Sequence, residues 1–294
     1  MQKTVYLAVF LSFGIAFSSC DLLTVQEDYG GYPTRISPLE KPELEALNEE
    51  YHAANNGQLC STLNEYGLTG FSEVLFEDGE NPCEPANREI VRIEVTRTDT
   101  LLTAAKEILL KNSSYTGVDD TTELVLKEMV PLPGCINCGR PDEYSANIEW
   151  KLTFENQTID SVEVLDTEIT VFVDAEGVNR IWGNWYKDVM IPQFVNYGYL
   201  EVQAGLVDWQ IDMRRFTGED EIYVVQEDDV TERPQKVILP FKNDEDDIIE
   251  IRYCWAVPIN YSGENFEGWI AFIDIEEGFF VELKSIKMVQ EKYQ

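Results

Sequence analysis

Two cysteines in the run Gly-Cys-Ile-Asn-Cys-Gly, Cys135 and Cys138, have the spacing most suggestive of chemistry in this chain. Such a pair can close a loop disulfide, exchange thiols as a redox dithiol, or supply half of a zinc site. Redox chemistry would favour a strand before the pair and a helix N-terminus after it, since the helix lowers the thiol pKa. Pro131, Pro133 and Pro141 instead indicate loop on both sides, and a zinc site lacks a second close pair. We therefore expect a loop disulfide, with redox chemistry and metal binding as open alternatives.

The other cysteines lie far apart in the sequence. Cys60 and Cys83 fall in a loop-rich region and are expected to pair, a closure worth about 3 kcal/mol in the chain-entropy model. Cys254 lies inside the strand-like run Ile-Arg-Tyr-Cys-Trp and is expected to be a buried free thiol that behaves as a small apolar residue.

Catalytic patterns are scarce. His52 is the only histidine, so a Ser-His-Asp or Cys-His site would have to use it, and its place near the end of a predicted helix favours a structural role. The sequence contains no Gly-x-Ser-x-Gly, His-Glu-x-x-His or phosphate-loop motif. We therefore expect no catalytic residue and no cofactor, and we expect that the protein is not an enzyme.

Carboxylates are abundant but not arranged as a recognisable site. Asp174 and Asp274 occupy matching turns, where an aspartate usually bonds to its own backbone. The acidic run 244–247 lacks the glycine and the terminal glutamate of a calcium loop. A solvated turn is favoured there, with weak Ca²⁺ or Mg²⁺ binding as the alternative.

The overall charge excludes some partners. The 294 residues include 55 Asp and Glu against 22 Lys and Arg, a formal net charge of −33. Nucleic-acid binding needs clustered positive charge, so no nucleic-acid partner is expected. The same charge argues against attachment to anionic lipid headgroups.

The N-terminus predicts export. Lys3 precedes an apolar run from Val5 to Phe17, which has 13 residues and is too short to span a bilayer. Two serines and Cys20 follow, and the segment resembles a bacterial lipoprotein signal. The resemblance implies that residues 1–19 are removed and that Cys20 is acylated. The protein would then lie outside the cytoplasm, with lipid as its membrane attachment; an ordinary secretory signal is the alternative.

The rest of the chain divides into four segments. Residues 20–40 are polar, contain glycine and proline, and predict a tether. Residues 41–89 predict a helix over 42–55 followed by a loop-rich part. Residues 90–190 and 191–294 predict two repeats of one unit, the first of which begins with a strand over 90–96.

Three landmarks recur in the two repeats. Helices are predicted over 99–112 and 200–213, and the septets 148–154 and 249–255 can be aligned from their first isoleucines. Two apolar runs then end at Asp174 and Asp274 before a glycine-containing turn and a further strand. The matching order and spacing predict an α+β fold in which each repeat packs one helix on an antiparallel β-meander.

The helix, the strands and the run Val-Phe-Val-Asp-Ala-Glu-Gly at 171–177 resemble the PepSY module, a cystatin-like α+β unit of bacterial exported proteins. With the N-terminal signal, the chain also resembles exported lipoproteins of Bacteroidetes. The resemblance covers about residues 90–290, and the cysteine-bearing loop 131–141 is an insertion. It implies a non-catalytic binding or regulatory module, and some members of the family restrain peptidases.

A protein or peptide partner is therefore expected. Four aromatic side chains form a candidate partner surface in and beside the inter-repeat segment 183–199: Trp182, Trp185, Tyr186 and Phe194. The same residues could instead fill the seam between the repeats, and sheet edges offer another contact. A peptidase inhibitor or folding aid is one alternative function, and a thiol-disulfide redox protein is the other.

Overall fold

The computed structural model describes residues 31–76, 83, 98–218, 220–243, 247–262 and 266–286. The predicted signal peptide 1–19, the lipid attachment site Cys20 and the predicted strand over 90–96 lie outside the described residues. No helix in the described ranges is both long enough and apolar enough to cross a membrane.

The first part of the chain is a mixture of short strands and helices. Its elements in order are β1 (Thr34–Ile36), α1 (Lys41–Ala54), β2 (Thr62–Leu63), β3 (Thr69–Gly70), α2 (Thr98–Lys111), α3 (Ser113–Thr116), β4 (Leu126–Ile136), β5 (Tyr144–Phe154), β6 (Thr158–Ile159), β7 (Val162–Glu163), β8 (Ile169–Asp174) and β9 (Gly177–Trp182). Strands β4, β5, β8 and β9 form one antiparallel sheet in that order. The predicted α1, α2 and meander of the first repeat are confirmed.

The second part repeats this plan. Its elements are α4 (Tyr199–Leu206), β10 (Gln210–Asp212), β11 (Ile222–Val224), β12 (Gln235–Asn243), β13 (Ile248–Asn260), β14 (Gly268–Asp274) and β15 (Phe280–Ser285). Strands β12 to β15 form a second antiparallel meander. The predicted α+β class, with helices packed on antiparallel sheets, is confirmed.

Apolar periodicity explains the first core. Leu101, Ala105 and Leu109 recur at intervals of four along α2 and are buried together. Alternate residues of β8 point into the same core cluster, to which α1 contributes Leu44 and Tyr51. The described part of the segment 41–89 therefore contributes residues to the core of the first repeat.

A buried amide pair fixes α1 to α2. Asn55 Nδ2 donates to Asn112 Oδ1 at 2.8 Å, and Asn112 Nδ2 donates to Asn55 Oδ1 at 3.1 Å. Both side chains are buried, so each would leave an unpaired polar group if its partner were removed.

The second helix is shorter than predicted. Instead of continuing to residue 213, α4 ends at Leu206, and Asp208 has a positive φ of 67°. The alternation of Val207, Trp209 and Ile211 favours extended backbone, and β10 follows. Local period-two patterning therefore overrides the helical pattern after the first two turns.

Strand pairing also corrects the alignment of the repeats. Trp150 lies opposite Val173 in the first sheet, and Trp255 lies opposite Ile273 in the second. Anchored on the turns at Asp174 and Asp274, Trp150 therefore corresponds to Trp255. The septet alignment was shifted by four residues, because alternating apolar strands match themselves in several registers.

The predicted tether is folded at its end. Within 20–40, strand β1 pairs antiparallel with β13, with Thr34 opposite Ile251 and Ile36 opposite Ile249. The tether prediction is therefore wrong for these residues, since the N-terminal part adds a strand to the second sheet.

The two repeats are joined along β12. Val164 forms a parallel bridge with Ile238, and the Leu165 backbone N–H donates to the Ile238 carbonyl oxygen at 2.8 Å. Val164 belongs to the second core cluster. The connection that follows β7 in the first repeat thus covers part of the outer edge of the second sheet.

Candidate functional site

The cysteine pair 135–138 lies at the tip of a β-hairpin. Strand β4 continues through Pro131 and Pro133 to Ile136, and β5 starts at Tyr144. The prediction of a loop over 131–141 is therefore wrong on the N-terminal side. Proline is tolerated because β4 is the outer strand of its sheet, where a missing N–H costs no ladder bond.

The surroundings of this pair favour a structural bridge. Cys135 and Cys138 form a disulfide, as predicted for a loop bridge. The element that follows is a strand, and Asp142 and Glu143 fold back on the turn. Carboxylates disfavour a thiolate, whereas redox thiols are activated by positive charge or a helix N-terminus. The redox alternative thus lacks its electrostatic requirement among the described residues.

The second disulfide lies in the N-terminal part, next to the residues that contact the first sheet. Cys60 and Cys83 are bonded, as predicted. The Cys60 backbone N–H donates to the Asn179 carbonyl oxygen at 2.8 Å, and Ile181 N–H donates to Ser61 Oγ at 3.0 Å. The outer edge of β9 is therefore covered by the chain itself.

The single histidine has a structural contact. His52 Nε2 lies 2.9 Å from the Ser61 carbonyl oxygen, next to the buried ring of Tyr51. This contact ties the end of α1 to the segment that covers β9, consistent with the structural role expected from the sequence.

The four candidate aromatic residues do not share one surface. Trp182 is 39% exposed on β9, Trp185 is only 3% exposed, and Phe194 is 72% exposed. Tyr186 is held at its backbone, where its N–H donates to Gln157 Oε1 and its carbonyl oxygen accepts from Gln157 Nε2. Only Trp185 and Tyr186 contribute to a common concave site.

That site is a cleft of about 410 Å³ between the N-terminal segment and the inter-repeat segment. We call it the junction cleft and define it by residues 34–39, Glu43, Leu47, 66–68, Ser114, Gly117 and 185–188. Leucine, isoleucine and aromatic side chains supply most of its wall. Arg35, Glu43, Lys187 and Asp188 place both signs of charge around it.

One wall of the junction cleft is fixed by a close backbone approach. The Trp185 N–H donates to the Thr116 carbonyl oxygen at 2.8 Å. A Cβ atom on Gly117 would lie 2.1 Å from the Trp185 carbonyl oxygen, and Gly117 has a φ of +75°. Only glycine fits both the space and the backbone conformation, so the aromatic wall is held in place before any ligand arrives.

The comparisons with known proteins identify no family for this chain. No family model matches the chain, and no curated protein matches it. One similar solved structure is the YpeB C-terminal domain of Bacillus megaterium, at 13% identity and a TM-score of 0.27. The match covers 68% of this chain and 69% of that one. This likeness assigns neither a family nor an activity.

A buried polar network, not predicted from the sequence, lies beneath the turn at Asp274. We call it the Asp274 network and define it by Tyr32, Arg35, Glu250, Arg252, Asp274 and Glu277. Arg252 Nη1 donates to Asp274 Oδ2 at 2.9 Å and to Glu277 Oε2 at 2.8 Å, while its Nε donates to Glu250 Oε2 at 2.7 Å. Asp274 is completely buried. The buried charges of Asp274 and Glu250 are therefore compensated by the guanidinium of Arg252 inside the second repeat.

The N-terminal segment completes this network. Tyr32 Oη donates to Asp274 Oδ2 at 2.6 Å and accepts from the Tyr253 N–H at 2.8 Å. Arg35 Nε donates to Glu250 Oε1 at 3.0 Å. Burial, and then the bond to Asp274, raises the pKa of Tyr32 above its usual value. These contacts hold β1 against β13 by side chains as well as by the strand ladder.

Two further predictions concern this region. Cys254 is buried and free, as expected, and burial followed by the nearby Asp274 charge raises its thiol pKa. Of the acidic run 244–247, residues 244–246 lie outside the described residues, and Asp247 pairs with Lys242 at 3.0 Å. No cluster of three His, Cys, Asp or Glu side chains suited to a metal ion occurs within the described ranges.

Proposed function

We propose that this chain is a non-catalytic, lipid-anchored module outside the cytoplasm that binds a peptide segment of a partner protein in the junction cleft. The observation that carries the proposal is the cleft itself, whose volume of about 410 Å³ lies in the usual range for ligand sites. Export and anchoring rest on the N-terminal signal and Cys20.

The lining of the junction cleft suits a peptide. Leu39, Leu47 and Leu68 offer apolar surface, and Tyr186 adds an aromatic ring. Peptides present alternating apolar side chains and polar backbone groups, which match an apolar wall with a charged rim. Because the Trp185 wall is already held by Thr116 and Gly117, binding would require little ordering of the protein.

Site-directed photo-crosslinking in the native envelope tests the cleft. The full chain would carry p-benzoylphenylalanine in place of Ser37, an exposed residue that lines the cleft. A matched chain would carry it in place of Val125, an exposed residue away from the cleft. We expect a discrete adduct of one size from the Ser37 position alone. Equal adducts from both positions, or none from Ser37, would refute the cleft as the binding site.

Anchoring is tested in the same strain by Cys20→Ser. We expect this chain to leave the membrane fraction and lose incorporation of a labelled fatty acid, while the parent chain keeps both. Unchanged membrane association and labelling would overturn the anchoring part of the proposal.

A further inference from the structure

Five large apolar side chains are exposed in two neighbouring segments of the second part of the chain. Their exposed fractions run from 40% to 72%, although side chains of this kind are usually buried. Single exposed apolar residues are ordinary, but a contiguous group marks a surface that contacts another molecule or a membrane. We call this group the apolar patch and define it by Met190, Phe194, Val195, Phe279 and Phe280.

Backbone contacts bring the two segments of the apolar patch together. The N–H groups of Asn196 and Tyr197 both donate to the Ile275 carbonyl oxygen, at 3.2 and 3.1 Å. Gly278 lies against the ring of Tyr197, since a Cβ atom on this glycine would lie 2.5 Å from that ring. Apart from Met190, every residue of the patch lies within two positions of one of these contacts. The inter-repeat segment and the turn between β14 and β15 therefore form one surface.

The N-terminal segment enters the fold beside the same surface. The Met190 N–H donates to Thr34 Oγ1 at 2.7 Å, which places this end of the patch against β1. Tyr32 donates to Asp274, and the Asp274 N–H donates to the Phe279 carbonyl oxygen at 3.0 Å. The patch therefore lies next to the position from which the chain leads back to the predicted lipid attachment site.

Chain length limits how far this side of the protein can lie from a membrane. Tyr32 is the twelfth residue after Cys20, and twelve residues span at most about 40 Å in any conformation. An acylated Cys20 therefore keeps the bilayer surface within that distance of Tyr32. The side that carries the apolar patch can rest on the membrane without extension of the connecting residues.

The composition of the patch and its surroundings suits a surface without net charge. Residues 189–200 include no charged side chain, although 26% of the whole chain is charged. Tyr197 and Tyr199 are half-buried in this stretch, and tyrosine is enriched where proteins meet lipid headgroups. The adjacent turn carries Glu276 and Glu277, and the net charge of −33 opposes both anionic lipid and a second copy of the chain. Neutral lipid is therefore the matching surface.

We propose that the apolar patch lies in the headgroup region of a bilayer whose lipids are zwitterionic or uncharged. The inference rests on the proposed anchoring at Cys20 and extends it, because an anchor alone leaves the protein free to rotate. Interfacial segments bury their apolar side chains about 5–10 Å into the boundary between headgroups and acyl chains. Such contact gives the second repeat a fixed orientation on the membrane, through residues that are not part of the junction cleft.

Photo-crosslinking to labelled lipid tests this orientation on the full chain. The chain would carry p-benzoylphenylalanine in place of Phe194 and be reconstituted with phosphatidylcholine vesicles that contain a radiolabelled acyl chain. A matched chain would carry it in place of Trp182, an exposed aromatic residue of the first sheet. We expect at least about tenfold more lipid adduct from the Phe194 position, because only this position reaches the acyl-chain boundary. Equal yields from both positions, or no adduct from Phe194, would overturn the inference.

The Phe194 chain also reveals any other occupant of the patch. In the native envelope, a crosslink mainly to another protein would overturn the membrane contact, and so would a crosslink within the chain to residues 21–30. Failure of anchoring is visible separately, as absence of fatty-acid incorporation into the parent chain. The lipid adduct in vesicles decides the patch in either case, because it is measured without reference to that label.

The need for an uncharged surface is measured at Val195. Val195→Asp places a carboxylate against the bilayer, so we expect the lipid-adduct yield at Phe194 to fall at least about fivefold, because a charged group resists leaving water. Val195→Asn is matched in size without the charge, and we expect it to lower the yield by less than about twofold. An aspartate variant that crosslinks as well as the parent chain would overturn the inference.

Lipid composition distinguishes a neutral from an anionic surface. When phosphatidylglycerol replaces about one third of the phosphatidylcholine, we expect the yield at Phe194 to fall about twofold at low salt, because the acidic chain is repelled. The yield should recover in about 0.5 M salt, which screens that repulsion. A yield that rises with anionic lipid would overturn the assignment of neutral headgroups.

Discussion

The two repeats use the same turn for different purposes. In the first, Asp174 Oδ1 accepts the Glu176 N–H at 2.9 Å, and its other oxygen accepts from Asn179 Nδ2 at 3.0 Å. In the second, Asp274 Oδ1 accepts the N–H groups of Glu276 and Glu277 at 2.9 and 2.8 Å. The turn-forming role predicted for both aspartates is thus confirmed.

The two turns differ in what the second carboxylate oxygen of the aspartate accepts from. Asp274 Oδ2 accepts from Arg252 and from Tyr32, so the turn also anchors the N-terminal strand. In the first sheet, Glu149 precedes the last residue pair of β5 and β8 and forms an ion pair with Arg180. In the second sheet, Cys254 lies opposite Asp274. Equivalent turns thus form local contacts in one repeat and the centre of a long-range network in the other.

The largest expected effect on the free energy of unfolding comes from removing the buried guanidinium of Arg252. Arg252→Ala leaves Asp274 and Glu250 buried without their main counter-charge, so we expect a loss of about 3–5 kcal/mol in the free energy of unfolding. The matched variant is Arg180→Ala, whose ion pair with Glu149 is less deeply buried. We expect it to cost less than half as much. Urea unfolding of both chains measures the difference, and equal losses would contradict the contrast between the repeats.

An intermediate effect is expected from the aspartates themselves. Asp274→Asn keeps the acceptor of the turn but removes a buried partner of Arg252, so we expect a loss of about 2–3 kcal/mol. Asp174→Asn also keeps the turn acceptor, and we expect a loss below about 1 kcal/mol because that carboxylate is only half-buried.

Unfolding midpoints and slopes in urea separate the two aspartate variants. The reverse order, with the first repeat more sensitive, would show that Asp174 has a larger structural part than its described contacts indicate.

The sequence predicts the regular parts of this molecule well. The four-residue spacing of Leu101, Ala105 and Leu109 indicates α2, and the two apolar runs that end in Asp indicate the hairpins. These signals are local, because each depends on residues within one or two turns of backbone.

The parts that sequence patterns missed depend on distant contacts. Strand β1 has only three residues between two prolines, so nothing local distinguishes it from a tether. Glu250 and Arg252 alternate with apolar residues, a pattern that is typical of a strand with one solvent-facing side, but that side is buried as well. Arg35, the partner of Glu250, lies 215 residues away from it, and Tyr32 joins the same network through Asp274, 242 residues away. Of the four aromatic residues proposed from the sequence, Trp185 and Tyr186 line the junction cleft, whereas Trp182 and Phe194 do not.

A smaller effect than that of Asp274→Asn is expected from the phenol that joins the N-terminal segment to the second repeat. Tyr32→Phe removes one bond to Asp274 and one from the Tyr253 N–H, so we expect a loss of about 1–2 kcal/mol near pH 7. Since the pKa of Tyr32 is raised by folding, its contribution is complete below the unfolded value near 10 and is lost as pH rises above it.

The stability of the parent chain should therefore fall more steeply than that of Tyr32→Phe above pH 10. The slope that remains in the variant comes from other buried groups, among them Tyr51 and Tyr186, whose pKa values burial raises to about 12. Unfolding in urea between pH 8 and about 11.5 measures both slopes, with Tyr144→Phe, at an exposed tyrosine of β5, as a matched control. Identical slopes for the parent and Tyr32→Phe would show that the phenol is not buried against Asp274, and the second repeat would then hold β1 by its strand ladder and Arg35 alone.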